Sequence, residues 1–391
     1  MNVSRLLSTS FVAVLIVVTA RAQDVDSRPV RSRTEVPPRT GASSRTADAD
    51  LVDPSFVHAD LEAAFHREGW VGLGWALLAP NGTTYVNHLG FEDRERGVKA
   101  GPTTRWRWAS ISKPVTAIAA LQLVEQGKLD LDRDVRAWVP EFPEKPWPVT
   151  ARHLGGHLGG IVHYSNGEVI ALPRPAEPPD AWADVVRALD AFKMSPLLAE
   201  PGTRYAYTTH GYMLLGAVVQ RAGGAPYVDQ VRDRIAHPLG MTSFEPDYGW
   251  KRLPNRAKGY KKKGAAWVES GDTDVSWKLP GGGYLSNVAD LARFGRGVMD
   301  GRLLSPTSRA LMATRGRTRD GKATTYGFGW GLYDIDGRAV LAHSGSQEKT
   351  STYLAVVPDV GLGLAVMCNC EGAKLEPLVK AFLEKALARR G

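Results

Sequence analysis

The order of periodic segments predicts an α+β domain whose sheet is assembled from both ends of the chain, with helices inserted between them. Near the start, a helix-like pattern at Phe56, Leu61, Ala64 and Phe65 closes at Gly69, and a hairpin follows. Its strands, Trp70 to Ala79 and Thr83 to Phe91, flank the turn Pro80-Asn81-Gly82. Strand-like runs return only in the last third, at Tyr326 to Tyr333, Arg338 to His343, Thr350 to Val357 and Gly361 to Asn369, before a closing helix from Leu375 to Ala388. The middle is helical. From Ser110 to Gln126, apolar residues fall at Val115, Ile118, Ala119, Leu121, Leu123 and Val124, and Gly127 stops the run. Further helices are expected at 180–193, 210–222, 226–236 and 287–299, the last with Ser286 as its N-cap. Pro- and Gly-rich connections at 163–180 and 246–283 separate them, and no internal repeat is visible.

The 391 residues, 43% hydrophobic and 23% charged, are ordinary for a globular protein with a full core. The first 22 residues differ. Arg5 gives a positive start, Phe11 to Val18 is apolar, and Ala20-Arg21-Ala22 supplies small residues where a signal peptidase reads, so residues 1–22 read as a cleaved signal peptide. The apolar run is too short to span a bilayer comfortably, so no stable membrane span is expected and the mature chain is periplasmic or secreted. Residues 23–50 hold few large apolar side chains and read as a disordered linker, which leaves 51–391 as the folded domain.

Net charge is +8; removing the two arginines of the leader leaves about +6, spread along the chain. The one basic run, Lys261-Lys262-Lys263, reads as a solvated loop, and a nucleic-acid partner is not implied. Cys368 and Cys370 alternate within an apolar strand, a spacing that does not favour disulfide geometry, and read as core or interface thiols.

Three segments can carry chemistry. Ser110-Ile111-Ser112-Lys113 opens the long helix, so unpaired N–H groups point at whatever the serine oxygen bonds, and the lysine lies one turn on along the same face. A desolvated lysine there can accept the hydroxyl proton. Chance supplies about one Ser-x-x-Lys in a chain this long. Ser346-x-x-Lys349 is a second match, but it opens no helix. The second segment runs from Pro201 to Tyr212, a turn then a helix, and includes Tyr207 and Thr209. The third, His343-Ser344-Gly345-Ser346, ends a strand where glycine lets substrate lie against the edge. His153 and His157 are four apart, but without a nearby acidic or cysteine third ligand they read as structural, with no metal or other cofactor implied.

In order and context these segments resemble the serine β-lactamase and penicillin-binding-protein family, in the branch similar to class C enzymes: Ser-x-x-Lys, then Tyr-x-Asn, then Lys/His-x-Gly. The resemblance extends through Pro102 to Lys113, Pro238 to Met241, Gly281 to Ser286 and Tyr326 to Trp330. His157 to Tyr164 and Tyr207-Thr208-Thr209 look most like the mitochondrial-type proteins of that family. It implies a three-layer α/β/α transpeptidase-like fold over residues 56–390, with a helical subdomain on an antiparallel sheet.

By the same resemblance, Ser110 would be the nucleophile, Lys113 its proton partner and Tyr207 the shuttle to the leaving group. His343 and Gly345 match the third motif, and the N–H groups of Ser110 and Ser346 would form the oxyanion hole. Thr209 stands where the family has asparagine, and His343 where many members have lysine, exchanging a permanent charge for one that titrates near neutrality. Both changes weaken the hold on a β-lactam carboxylate. The expected activity is therefore a serine hydrolase acting on a small-molecule or peptide substrate, peptidase- or esterase-like. The alternative is a catalytically silent module that binds cell-wall peptides, which Thr209 permits and the intact Ser110, Lys113 and Tyr207 oppose.

Overall fold

Apolar residues alternating with period two bury both faces of a central sheet. In the computed structural model, which describes residues 53–173 and 184–388, helix α1 (Pro54–Glu68) ends at Gly69, which adopts φ +62°. The hairpin β1 (Gly72–Leu78) and β2 (Thr84–Asp93) follows, then the short strands β3 (Val98–Lys99) and β4 (Trp106–Arg107). Helices α2 (Ser112–Glu125), α3 (Ala151–Gly155), α4 (Thr209–Gly223) and α5 (Tyr227–Val231) make the inserted region. Next come β5 (Glu245–Pro246), β6 (Tyr260–Lys263), β7 (Ala266–Glu269), α6 (Leu279–Gly282), β8 (Tyr284–Ser286), α7 (Val288–Met299) and α8 (Pro306–Met312). The chain closes with β9 (Gly331–Ile335), β10 (Arg338–Gln347), β11 (Thr350–Val357), β12 (Leu362–Cys368) and α9 (Glu376–Ala388).

The seven-stranded sheet has the order β3-β2-β1-β12-β11-β10-β9, with its neighbouring strands antiparallel, so β1 from one end of the chain lies against β12 from the other. Leu73, Trp75 and Leu77 of β1 and Leu364 and Val366 of β12 face one way, against Val57 and Leu61 of α1 and Val379 and Leu383 of α9. The intervening Ala76, Leu78, Ala365 and Met367 face the other way, against α7 and the helical region. This is the three-layer α+β arrangement the sequence predicts. Helix α2 is buried on nearly every side and forms the hub of the helical region.

Several elements differ from the sequence reading. Asn287, not Ser286, caps α7 by accepting from Asp290 N; the Ser286 hydroxyl is occupied with the Trp108 indole. The helix expected at 180–193 is a 3-10 turn over Arg187–Ala191, and 174–183 lie outside the described residues. The segment 226–236 divides into α5 and a π-helical turn. The strand expected from Tyr326 begins only at Gly331, after Gly329 adopts φ +92° against Ala117. Lys261-Lys262-Lys263 are exposed as expected, but as part of a two-stranded hairpin, β6 with β7, and not a loop. Cys368 and Cys370 are free and buried. The leader 1–22 and linker 23–50 lie outside the described residues. Among the described residues no helix is long and apolar enough to cross a membrane.

Leu354 of β11 is fully buried and touches the helix α7 face at Gly295, so Leu354→Ala is expected to cost about 2–5 kcal/mol in urea unfolding. Exposed Met194→Ala should stay within about 0.5 kcal/mol. Equal costs for the two would contradict this placement of the core.

Candidate active site

The nucleophile segment is held before the helix begins. Strand β4 pairs with β8, Trp108 N donates to Tyr284 O, and the Trp108 indole donates to Ser286 Oγ at 2.7 Å. The indole also packs edge-on against Phe244, with ring centres 4.8 Å apart. The Thr352 hydroxyl of β11 donates to Trp108 O at 2.9 Å. The backbone can lie this close to the sheet because position 345 is glycine: a Cβ there would stand 2.3 Å from Trp108 O and 2.1 Å from Thr352 Oγ1. Ala109 then takes φ +47°, a conformation that costs a non-glycine residue about 1–2 kcal/mol, and Ser110 enters a single 3-10 turn continuous with α2. Ser110 is half-buried, and its N–H lies in the first turn, where no helical carbonyl can accept it.

Lys113 is fully buried below it. Its Nζ lies 3.0 Å from Ser110 Oγ, 3.2 Å from Thr209 Oγ1 and 2.7 Å from Gly281 O. Three acceptors would suit an ammonium, yet none is a carboxylate, and desolvation, helped by the charge of Lys278, drives the pKa of Lys113 well below its ordinary value. A neutral amine is compatible with the same three contacts, with two N–H bonds to Gly281 O and Thr209 Oγ1 and the lone pair open to the Ser110 O–H.

Tyr207 flanks the pair, its ring centre 4.9 Å from Lys113 Nζ. Burial raises its pKa well above the ordinary tyrosine range, while interaction with the Ser110 side chain acts weakly the other way. The phenol therefore keeps its proton at neutral pH. His157, fully buried and at φ +58°, packs against this ring at a 43° tilt with centres 4.3 Å apart and takes Thr208 N on Nδ1 at 3.2 Å. That bond places the ring proton on Nε2, which is buried without a partner. His153 also has a structural partner: its Nδ1 accepts from Thr150 N in the cap of α3.

Thr209 retains part of what an asparagine would do, since its hydroxyl reaches Lys113, while its N–H donates to His163 Nδ1 at 3.3 Å. His343 departs from expectation. Its Nδ1 donates to Ser344 O at 2.7 Å, and its Nε2 takes the Tyr326 hydroxyl at 2.8 Å. Burial above all lowers its pKa to about 3, so the expected titration near neutrality is corrected: the ring is neutral at pH 7 and both nitrogens are occupied. Beyond Ala342, which pairs with Gly331, the segment from His343 to Gln347 pairs with β11 alone and its other edge has no β9 partner. Gly345 and Ser346 lie on this stretch, with the Ser346 side chain exposed. A cavity of about 400 Å³ beside it is lined by Tyr205, Tyr207, Tyr326, His343 and Ser344.

The structure thus brings Ser110, Lys113, Tyr207 and Thr209 together and sets the His343-to-Ser346 edge against the same segment. Lys349, of the second Ser-x-x-Lys match, is instead ion-paired with Asp272 in the turn after β10. The sequence reading assigned no role to Gly281, His157, His163 or Lys278. The glycine run at 281–283 was the available signal: a Cβ on Gly281 would meet Thr209 Cγ2 at 2.6 Å, so glycine there lets its carbonyl reach Lys113.

Comparison with known proteins fits this geometry. The mitochondrial serine beta-lactamase-like protein LACTB of Homo sapiens is 28% identical over 73% of this chain and 71% of its own. The putative penicillin-binding protein PbpX of Bacillus subtilis (strain 168) is 28% identical over 66% of this chain and 61% of its own. Among solved structures, the octameric penicillin-binding protein homologue from Pyrococcus abyssi matches with a TM-score of 0.72 at 24% identity, covering 86% of this chain and 78% of that one. A D-stereospecific amidohydrolase from Streptomyces sp. matches at 0.67 and 24%, covering 84% and 98%. These structural likenesses establish the fold. The sequence profile of the Beta-lactamase family matches residues 58–388, and the chain belongs to that family.

Proposed function

We propose that the protein is an exported serine hydrolase that cleaves amide or ester bonds through an acyl-enzyme on Ser110, as a peptidase or esterase and not as an efficient β-lactamase. The observation that carries this reading is the 3.0 Å contact between Ser110 Oγ and a fully buried amine that has no carboxylate partner. The hydroxyl proton passes to Lys113 Nζ as Oγ bonds to the substrate carbonyl. The resulting oxyanion sits between the backbone N–H groups of Ser110 and Ser346. Tyr207, still protonated, gives its proton to the leaving group and is resupplied from Lys113 as the carbonyl–leaving-group bond breaks. Water then attacks the acyl-enzyme by the reverse route.

The substrate preference rests on His343. With that ring neutral and both nitrogens engaged, the third motif offers no charge to a β-lactam carboxylate. The open edge of β10 suits an extended acyl chain, which gains main-chain hydrogen bonds there. The contact between Thr209 and Lys113 weighs against a silent binding module, because the lysine keeps a hydroxyl partner at that position. Export rests on the leader at 1–22 alone, and the human relative is by its name mitochondrial.

Ser110→Ala is expected to abolish labelling by a fluorophosphonate probe; persistent labelling read by mass spectrometry would contradict the assignment. The pH dependence has a defined sign. Lys113 must be neutral to act as base, so kcat/KM for p-nitrophenyl butyrate should rise with pH through its lowered pKa and then stay level, since Tyr207 ionises only at high pH. His343 titrates at about 3 and should add no step between pH 6 and 7. A step in that range that vanishes in His343→Gln would refute this account of the histidine.

A further inference from the structure

We propose, building on the hydrolase reading, that Lys278 is the specificity-determining cation of the cleft and that preferred substrates carry a carboxylate near the scissile carbonyl. Lys278 ends the 3-10 turn Ser276–Lys278, which runs directly into α6, the helix whose Gly281 carbonyl holds Lys113. Although the residue is only 8% exposed, its side chain makes no hydrogen bond or ion pair with any described residue. Its ammonium instead lies 5.8 Å over the Tyr164 ring and 5.9 Å from the Trp277 ring. Contacts of that kind return about 0.5–2 kcal/mol, less than the several kcal/mol it costs to desolvate a cation. A ligand anion would redress the difference.

Its field reaches the reacting groups, because its charge lowers the pKa of Lys113 and of His163. Desolvation lowers its pKa from the ordinary lysine value, and the protein charges that act on it are Glu348, Arg107, Asp274 and Asp247. Asp247 is already shared by Arg107 and Arg256, while Glu348 and Asp274 are exposed and outside ion-pair reach. The histidines around the cleft do not compete for an anion: burial holds His163 and His210 at about 4 and His343 at about 3. A second donor is at hand. Gln347, next to Ser346 on β10, has a buried side-chain nitrogen without a hydrogen-bond partner, and its oxygen lies 3.3 Å from where a Cβ on Gly282 would be. An ammonium at the start of α6 and an unpaired amide N–H beside its glycines are the two kinds of donor a carboxylate takes.

The test compares p-nitrophenyl monoglutarate with p-nitrophenyl pentanoate, matched in acyl length, each corrected for spontaneous hydrolysis. The wild type is expected to favour the monoglutarate at least tenfold in kcat/KM. Lys278→Gln should erase that preference through KM, and Lys278→Arg should retain most of it. The Gln variant should also move the rising pH limb to higher pH, because removing a neighbouring positive charge lets Lys113 hold its proton more tightly. No preference in the wild type, or a parallel loss on both esters that leaves the ratio and the limb unchanged, would overturn the proposal. Undiminished turnover of both esters by Ser110→Ala would instead overturn the hydrolase reading on which it rests.

Discussion

A lysine amine with no exposed surface and no carboxylate against it is the constraint around which this site is arranged. A charge in that position would lose several kcal/mol of hydration without an opposite charge to offset it. The fold eases the conflict by drawing the amine's pKa down and supplying one carbonyl and two hydroxyls, a set that two N–H bonds and a lone pair can satisfy. The nucleophile's hydroxyl is one of the two, so the same burial that stabilises the neutral base also aims it at the proton it must remove.

Holding that geometry requires close backbone approaches from three separate parts of the chain. Trp108 is clamped between β8 and β11, Gly345 opens the space its carbonyl occupies, and Gly281 brings a carbonyl from α6 onto the lysine. The sheet supplies a rigid base because strands from both chain ends interlock at its centre, β1 against β12. Conformational cost gathers here: Ala109 and His157 both adopt left-handed backbone, one immediately before the nucleophile and the other beneath the tyrosine that serves it. Tyr207 is therefore backed by a residue held at two points: the His157 carbonyl accepts from Ala206 N, and its ring Nδ1 accepts from Thr208 N.

Local features of the site were legible in the sequence, and features made by distant packing were not. Ser110 and Lys113 are a helical turn apart, so their contact follows from periodicity alone. The outer strands and the closing helix were also readable, since alternation and helical spacing are intrinsic to each segment. Tyr207 and Thr209 could be placed beside them only through the order of motifs in the family. The lysine's carbonyl partner at Gly281, the packing of His157 against Tyr207 and the approach of Lys278 to Tyr164 arise between segments far apart in the chain, and no spacing rule reports them. His343 shows the same limit from the other side. Its residue type suggests a charge that varies near neutrality, but burial, not visible in the local sequence, holds it neutral.

With His343 neutral, the positive potential of the cleft comes from the α6 side and not from the third motif. That division leaves the β10 edge free for main-chain contacts and keeps the neighbouring charge where it also disfavours protonation of Lys113. The most direct test is a titration of Lys113 followed by NMR of protein labelled with carbon-13 at the lysine side chain, assigned by Lys113→Arg. The account predicts a signal characteristic of a neutral amine at pH 7, converting to the ammonium form only at lower pH. A signal that stays in the ammonium form up to about pH 10, the ordinary range for lysine, would contradict it.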